Sequence, residues 1–179
     1  MVAINPGKRT RQARDAQRKQ DINALANASI GYYTLAGNYP RENTCDSSRG
    51  RGASCPITTP ELDWPYPSNS YFYQELVTNQ EFLKKLPKDP VNDTTFYYRY
   101  EPKADTQDAC GGASPPCTIY WIGVRLESVD NQAEAGRRVF RCSDNTNLPP
   151  DASGVSQGAG CKEVLYPPSN NFDTTNNLF

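Results

Sequence analysis

Residues 8–19, KRTRQARDAQRK, form a basic, helix-favouring run that passes without a breaker into Ile22, Leu25, Ala26, Ser29 and Tyr33 at helical spacing. The pattern predicts one helix over 7–35, closed by the Gly37-Asn38 pair and stopped by Pro40. Such a rod is about 40 Å long, more than the width of a small domain, so the rest of the chain has to be built along it rather than around it. One face carries Ile22, Leu25, Ser29 and Tyr32, flanked by Ala26 and Tyr33. Only this second half is amphipathic. Between Arg9 and Lys19 the apolar positions are Ala13 and Ala16, so the first half is expected to protrude or to pack against something other than this chain.

The 179 residues suit a single core, organised as a stem over 1–40 and a globular head over 41–179. Hydrophobic residues make up only 36%, yet there are 11 Tyr, 6 Phe and 2 Trp, so burial has to lean on aromatic rings. Twelve Gly and 15 Pro point to long connections between few regular elements. Charge is uneven. Lys8, Arg9, Arg11, Arg14, Arg18 and Lys19 face Asp15 alone, a local balance of +5 that leaves −6 for the rest of a chain of net charge −1. A basic stem can meet nucleic acid or an anionic surface, but a solvated helix face is the plainer reading.

Further along, residues 71–85 read as a short helix with Leu76, Phe82, Leu83 and Leu86 inward and Pro87 ending it. Strands are predicted over 96–101, 118–128 and 137–142, with a fourth over 161–166. The second has the clearest alternation, placing Tyr120, Ile122, Val124 and Leu126 on one face, and a short connection after it suits a hairpin. The fold class expected is therefore α+β: a long N-terminal helix packed on a small antiparallel β-sheet, with disulfide-closed loops.

Six cysteines in so polar a chain suggest an oxidising compartment. They allow fifteen connectivities. The simplest joins Cys45 with Cys55, Cys110 with Cys117 and Cys142 with Cys161, since each pair brackets a Gly-, Ser- or Pro-rich segment. Zinc is the rival, disfavoured by the lack of histidine and of any Cys-x-x-Cys pair. The missing histidine also removes Ser-His-Asp and Cys-His catalysis and the usual neutral-pH base. No phosphate-binding glycine motif stands between a strand and a helix, so no catalytic residue and no cofactor are expected.

The segment INPGKRTRQARDAQRKQDINALANASIGYYTLAGNYP resembles the stem of type IV pilins and of type II secretion pseudopilins. LPKDPVNDTTFYYRY and IYWIGVRLE are similar to that family's entry into the sheet and its central strand. The likeness is specific over about forty residues and loose in the remaining loops. It implies a helix whose C-terminal half lies on an antiparallel sheet, and subunits that assemble with copies of themselves and related pilins into helical filaments at the cell surface. In that reading Ala13, Ala16, Ile22 and Leu25 pack helix against helix in the filament, and Arg14, Asp15, Arg18 and Asp21 form salt bridges between subunits.

The resemblance also implies a basic leader and an apolar helix upstream of the stem, anchoring a precursor in the inner membrane. Here Met1 stands where that helix should continue into VAINP, which reads as a form lacking the anchor; Pro6 would then lie within a longer helix and kink it. Some members of the family hold calcium in a loop near the sheet, for which Asp89, Asn92 and Asp93 offer hard oxygens, although the same residues are ordinary turn formers. The alternatives to a structural filament subunit are a secretion pseudopilin and a minor pilin or surface module. The last would bind DNA or a glycan through the basic stem or the tyrosine-rich WPYPSNSYFY segment.

Overall fold

The computed structural model describes residues 5–41, 70–93, 95–104, 110, 115–127 and 138–143. Helix α1 (Pro6–Ala36) opens with Asn5 as its cap, the side-chain oxygen accepting from the Lys8 amide at 3.2 Å, and with Pro6 in the first turn. Proline is favoured there because its missing N–H would have no partner within the helix. Pro6 thus stands in the first turn of α1. At the other end Gly37 takes φ 74° and donates its amide to the Tyr33 carbonyl at 2.8 Å, the left-handed closure that glycine adopts without a Cβ clash.

Ser70 caps a second helical segment by accepting from the Tyr73 amide. A single turn, α2 (Tyr71–Tyr73), widens into a π-helix (Gln74–Asn79) and stops there, six residues short of the predicted end. Leu76 and Leu86 are buried as expected, and Leu83 packs in part against the core. Phe82 is not inward: it is 38% exposed, its ring lying over Gly31 of α1.

Three strands follow, β1 (Arg99–Lys103), β2 (Ile119–Arg125) and β3 (Arg138–Cys142), in an antiparallel sheet of order β1-β2-β3. Tyr100 pairs with Ile122 and Val124 with Val139. Pro102 sits in β1, beside only one strand among the described residues, where a missing amide is tolerated. The predicted face of β2 is inward throughout, from Tyr120 to Leu126. The other face is covered as well, with Trp121 fully buried and Ile119 nearly so. The predicted connection after β2 and the fourth strand lie outside the described residues.

The core forms where Ile22, Leu25 and Ala26 of α1 meet Tyr100, Tyr120, Ile122, Val124 and Val139 of the sheet. Full burial of an aliphatic side chain such as Ile22 or Leu25 contributes roughly 1.5–3 kcal/mol. Aromatic rings do much of the rest. Phe72 stacks on Tyr100 at 3.9 Å between centroids, and Tyr39 meets Tyr120 edge-on at 4.6 Å. Their polar ends are served: the Tyr100 hydroxyl donates to the Pro40 carbonyl at 2.6 Å and that of Tyr120 to the Ala26 carbonyl at 3.4 Å. The fold is α+β, a long N-terminal helix on a three-stranded antiparallel sheet. Among the described residues no helix is long and apolar enough to cross a membrane.

Candidate functional site

Among the buried positions of α1, Asp15, Arg18, Ile22, Leu25 and Ser29 form a stripe at alternating spacings of three and four residues, with Ala26 and Ala28 buried beside it. The stripe changes chemistry partway along. Its second half is apolar and meets the sheet, whereas its first half is a charge cluster centred on Arg18, whose side chain is wholly buried. The first half of α1 therefore does not simply protrude, because ion pairs hold it to its own chain.

Arg18 donates from Nε and Nη2 to the two oxygens of Asp89 at 2.7 and 2.9 Å. Its Nη1 donates to Asp15 at 2.8 Å and to Glu127 at 2.6 Å. The planar fork of a guanidinium suits this arrangement, since two edges can be served at once. The ring of Phe96 lies 4.8 Å from the guanidinium carbon, a cation–π contact. Asp15 also accepts from the Glu127 amide at 2.8 Å, and Arg14 makes a second bidentate pair with Glu127. Two cations and three carboxylates from three separate segments thus meet in one place.

Burial works against the charge on Arg18, but hydrogen bonds and the charge of Asp89, then Glu127 and Asp15, outweigh it and hold its pKa above the usual value. Glu127 balances the same way: burial pushes its carboxyl up, and the bonds from Arg14 and Arg18 bring it below the ordinary range. Both members stay charged. The cluster offers no nucleophile and no unshared base, so its chemistry is that of a clamp.

The residues expected at a filament interface separate into two groups. Ala13 and Ala16 are exposed on the face of α1 turned away from the cluster. Ile22 and Leu25 are fully buried in the core of this chain, which removes them from any helix–helix contact with a neighbour. The charges are likewise used at home. Asp15 and Arg18 are buried in the cluster, Arg14 pairs with Glu127, and Asp21 accepts from the Tyr98 hydroxyl at 2.6 Å. Within the chain Arg14, Asp15 and Arg18 thus already have ion-pair partners, supplied by Asp89, Glu127 and one another.

Asp89, the first calcium candidate, spends both carboxylate oxygens on Arg18, and Oδ1 also accepts from the amides of Val91 and Asn92. Asn92 is buried, and Asp93 closes its own turn by accepting from the amides of Thr95 and Phe96 at 2.8 Å. A cation would have to displace Arg18 to reach Asp89. No group of three or more acidic, histidine or cysteine side chains stands ready for a metal among the described residues.

Cys110 and Cys117 form a disulfide. Cys142 is also disulfide-bonded, with its partner outside the described residues, as are Cys45, Cys55 and Cys161 themselves. Glu127 is the residue that sequence reasoning missed. Its one local signal was its place directly after the inward run of β2, where a carboxylate comes to lie beside the helix. Compared with protein-family models, with curated proteins and with solved structures, the chain finds no match.

Proposed function

We propose that this chain is a structural subunit of a type IV pilus-like filament at the cell surface, assembling with copies of itself through its N-terminal helix. The observation that supports the reading best is the two-sidedness of α1. One stripe is committed to its own head, by ions from Asp15 to Arg18 and by apolar packing from Ile22 to Ser29, while the opposite face stays open. That face carries Ala13, Ala16 and Ala24, small side chains over which a second helix can approach closely. The resemblance of the stem segment to pilins supplies the geometry in which such a face would be covered.

The family reading also gives the disulfide-closed head its place on the outer surface of the filament. No catalytic role accompanies it. In the cells that produce the protein, antibody raised against the head should label sheared surface fibres along their length. Labelling restricted to the envelope, with no fibres carrying the antigen, would refute the proposal. An Ala16→Glu variant should fold normally, because residue 16 is exposed, and should fail to enter fibres.

A further inference from the structure

Between the end of α1 and the start of α2 lies a half-open cleft of about 300 Å³, at the small end of the range for ligand pockets. Tyr32, Tyr39 and Tyr71 bring rings to it, and Asn38, Arg41 and Glu75 bring polar groups. Its walls are fixed from several directions. The closure at Gly37 turns the chain back so that residues 38–41 reach the cleft, and the Tyr39 amide donates to the Cys117 carbonyl at 2.8 Å, beside the Cys110–Cys117 disulfide. Arg41 stacks on Tyr71 with its guanidinium carbon 3.7 Å from the ring centre and bonds to the Tyr71 hydroxyl. Glu75 is held by the amide of the Asn79 side chain at 3.2 Å, and its charge lies beside Tyr32, whose hydroxyl burial and Glu75 together push up. It stands in the π-helical turn, a geometry that is rare and clusters at functional sites because it re-aims a side chain at a cost in helix regularity.

We propose that this cleft binds a neutral sugar ring. Among the described residues one cation and one carboxylate border it, so a ligand of net negative charge meets Glu75 and one of net positive charge meets Arg41, each unfavourably placed. An apolar ligand would cover Arg41, Glu75 and Asn38 and strip water from the polar atoms that their bonds within the chain leave over. A neutral polyol satisfies all three kinds of wall at once. Its hydroxyls donate to the Glu75 carboxylate and accept from Arg41 and Asn38, while its C–H face, slightly positive, lies on the negative face of a tyrosine ring. The inference does not rest on the filament reading and holds for a monomeric head equally well.

Saturation-transfer NMR on the whole chain tests it, with glucose, galactose, N-acetylglucosamine and N-acetylgalactosamine as probes and choline and inorganic phosphate as charged controls. At least one sugar should receive transfer, and Arg41→Gln and Glu75→Gln should each weaken it by about tenfold, the loss expected when one polar partner of a ligand is removed. Tyr32→Phe, which keeps the ring and removes the hydroxyl on the Glu75 side of the cleft, should weaken it in the same direction, and it covers the case in which a charge variant fails to fold. No transfer to any of the four sugars overturns the proposal. So does transfer that is unchanged in the variants whose circular dichroism matches wild type, or transfer confined to choline or phosphate.

Discussion

The guanidinium of Arg18 meets both carboxylate oxygens of Asp89, 71 residues further along the chain, with neither side chain exposed to solvent. The pair locks the middle of α1 to the loop that leads into the sheet. Taking two charges out of water is costly, so the cluster holds together only while every member keeps its partners.

Arg18→Ala should therefore lower stability by about 3–5 kcal/mol, since it leaves Asp15, Asp89 and Glu127 facing one another with the central cation gone. Arg18→Lys should lose less, about 1–2 kcal/mol, because an ammonium keeps the charge but cannot serve two edges in one plane. Arg14→Ala should cost under about 1 kcal/mol, as Arg14 is 31% exposed and its pair is partly screened. Urea unfolding followed by circular dichroism measures all three. A loss for Arg18→Ala no greater than that for Arg14→Ala would mean that the cluster is not a clamp.

Acid should weaken the same cluster through Glu127. Its carboxyl is held below the ordinary value of 4.5, so between the folded and the unfolded values the unfolded chain binds the extra proton and stability rises with pH. The contribution is complete above 4.5 and disappears as pH falls through the folded value. Asp21 acts with the opposite sign. Burial raises its carboxyl against the bond from Tyr98, so the folded chain takes up that proton first and acid favours folding at that site. Urea midpoints from about pH 7 down to about pH 3 should fall in the wild type and fall less in Glu127→Gln. Equal slopes in the two proteins would assign the acid loss to other carboxylates.

Gly31 and Phe82 should behave as a coupled pair. A Cβ on Gly31 would come within 2.8 Å of Cε1 of the Phe82 ring, so Gly31→Ala gains helix propensity worth up to about 1 kcal/mol only by moving that ring. In the wild type the two effects should nearly cancel. In a Phe82→Ala background the same change should stabilise by about 0.5–1 kcal/mol, and a double-mutant cycle reads the difference. Additive behaviour would show that the ring swings aside freely.

Reduction of the disulfides should act locally. Cys110 and Cys117 are seven positions apart, a short loop for which the chain-entropy account gives about 2.5 kcal/mol as an upper value. A Cys110→Ser, Cys117→Ser double variant should lose no more than this and should keep α1 helical, since α1 is held to β2 and β3 as well. Peptide mapping without reductant should recover Cys110 joined to Cys117, and the same digest identifies the partner of Cys142.

The ends of α1 were legible within a residue because capping is local chemistry: Gly37 and Pro40 announce a stop whatever the rest of the chain does. The inward face of β2 was legible for the same reason. Trp121 and Ile119 show the limit, since IYWIGV is also a continuous apolar run, and such a run is what burial on both faces produces. Asp15 and Arg18 occupied the right stripe but looked like solvated charges, because the partners that bury them, Asp89 and Glu127, are 71 and 109 residues away from Arg18. The second helix was drawn too long because its apolar residues continue past Asn79. There Gln80 donates to the Glu75 carbonyl and Glu81 takes φ 51°, a backbone turn that periodicity does not register. The cleft was out of reach of any local pattern, being assembled from three stretches of chain.

The switch of chemistry along the buried stripe of α1 has a mechanical consequence. A pull applied along the helix from its Pro6 end reaches the Arg18 cluster before it reaches Ile22 and Leu25. Loads parallel to the helix axis strain bonds at both stations together, in shear, whereas a sideways pull opens them one after the other, beginning with the ions. Ion pairs are directional and give way over a fraction of an ångström, while apolar contacts slide and re-form. Under axial load the head is thus held by a stiff tie and a yielding one acting in parallel, and it should resist axial tension better than peeling.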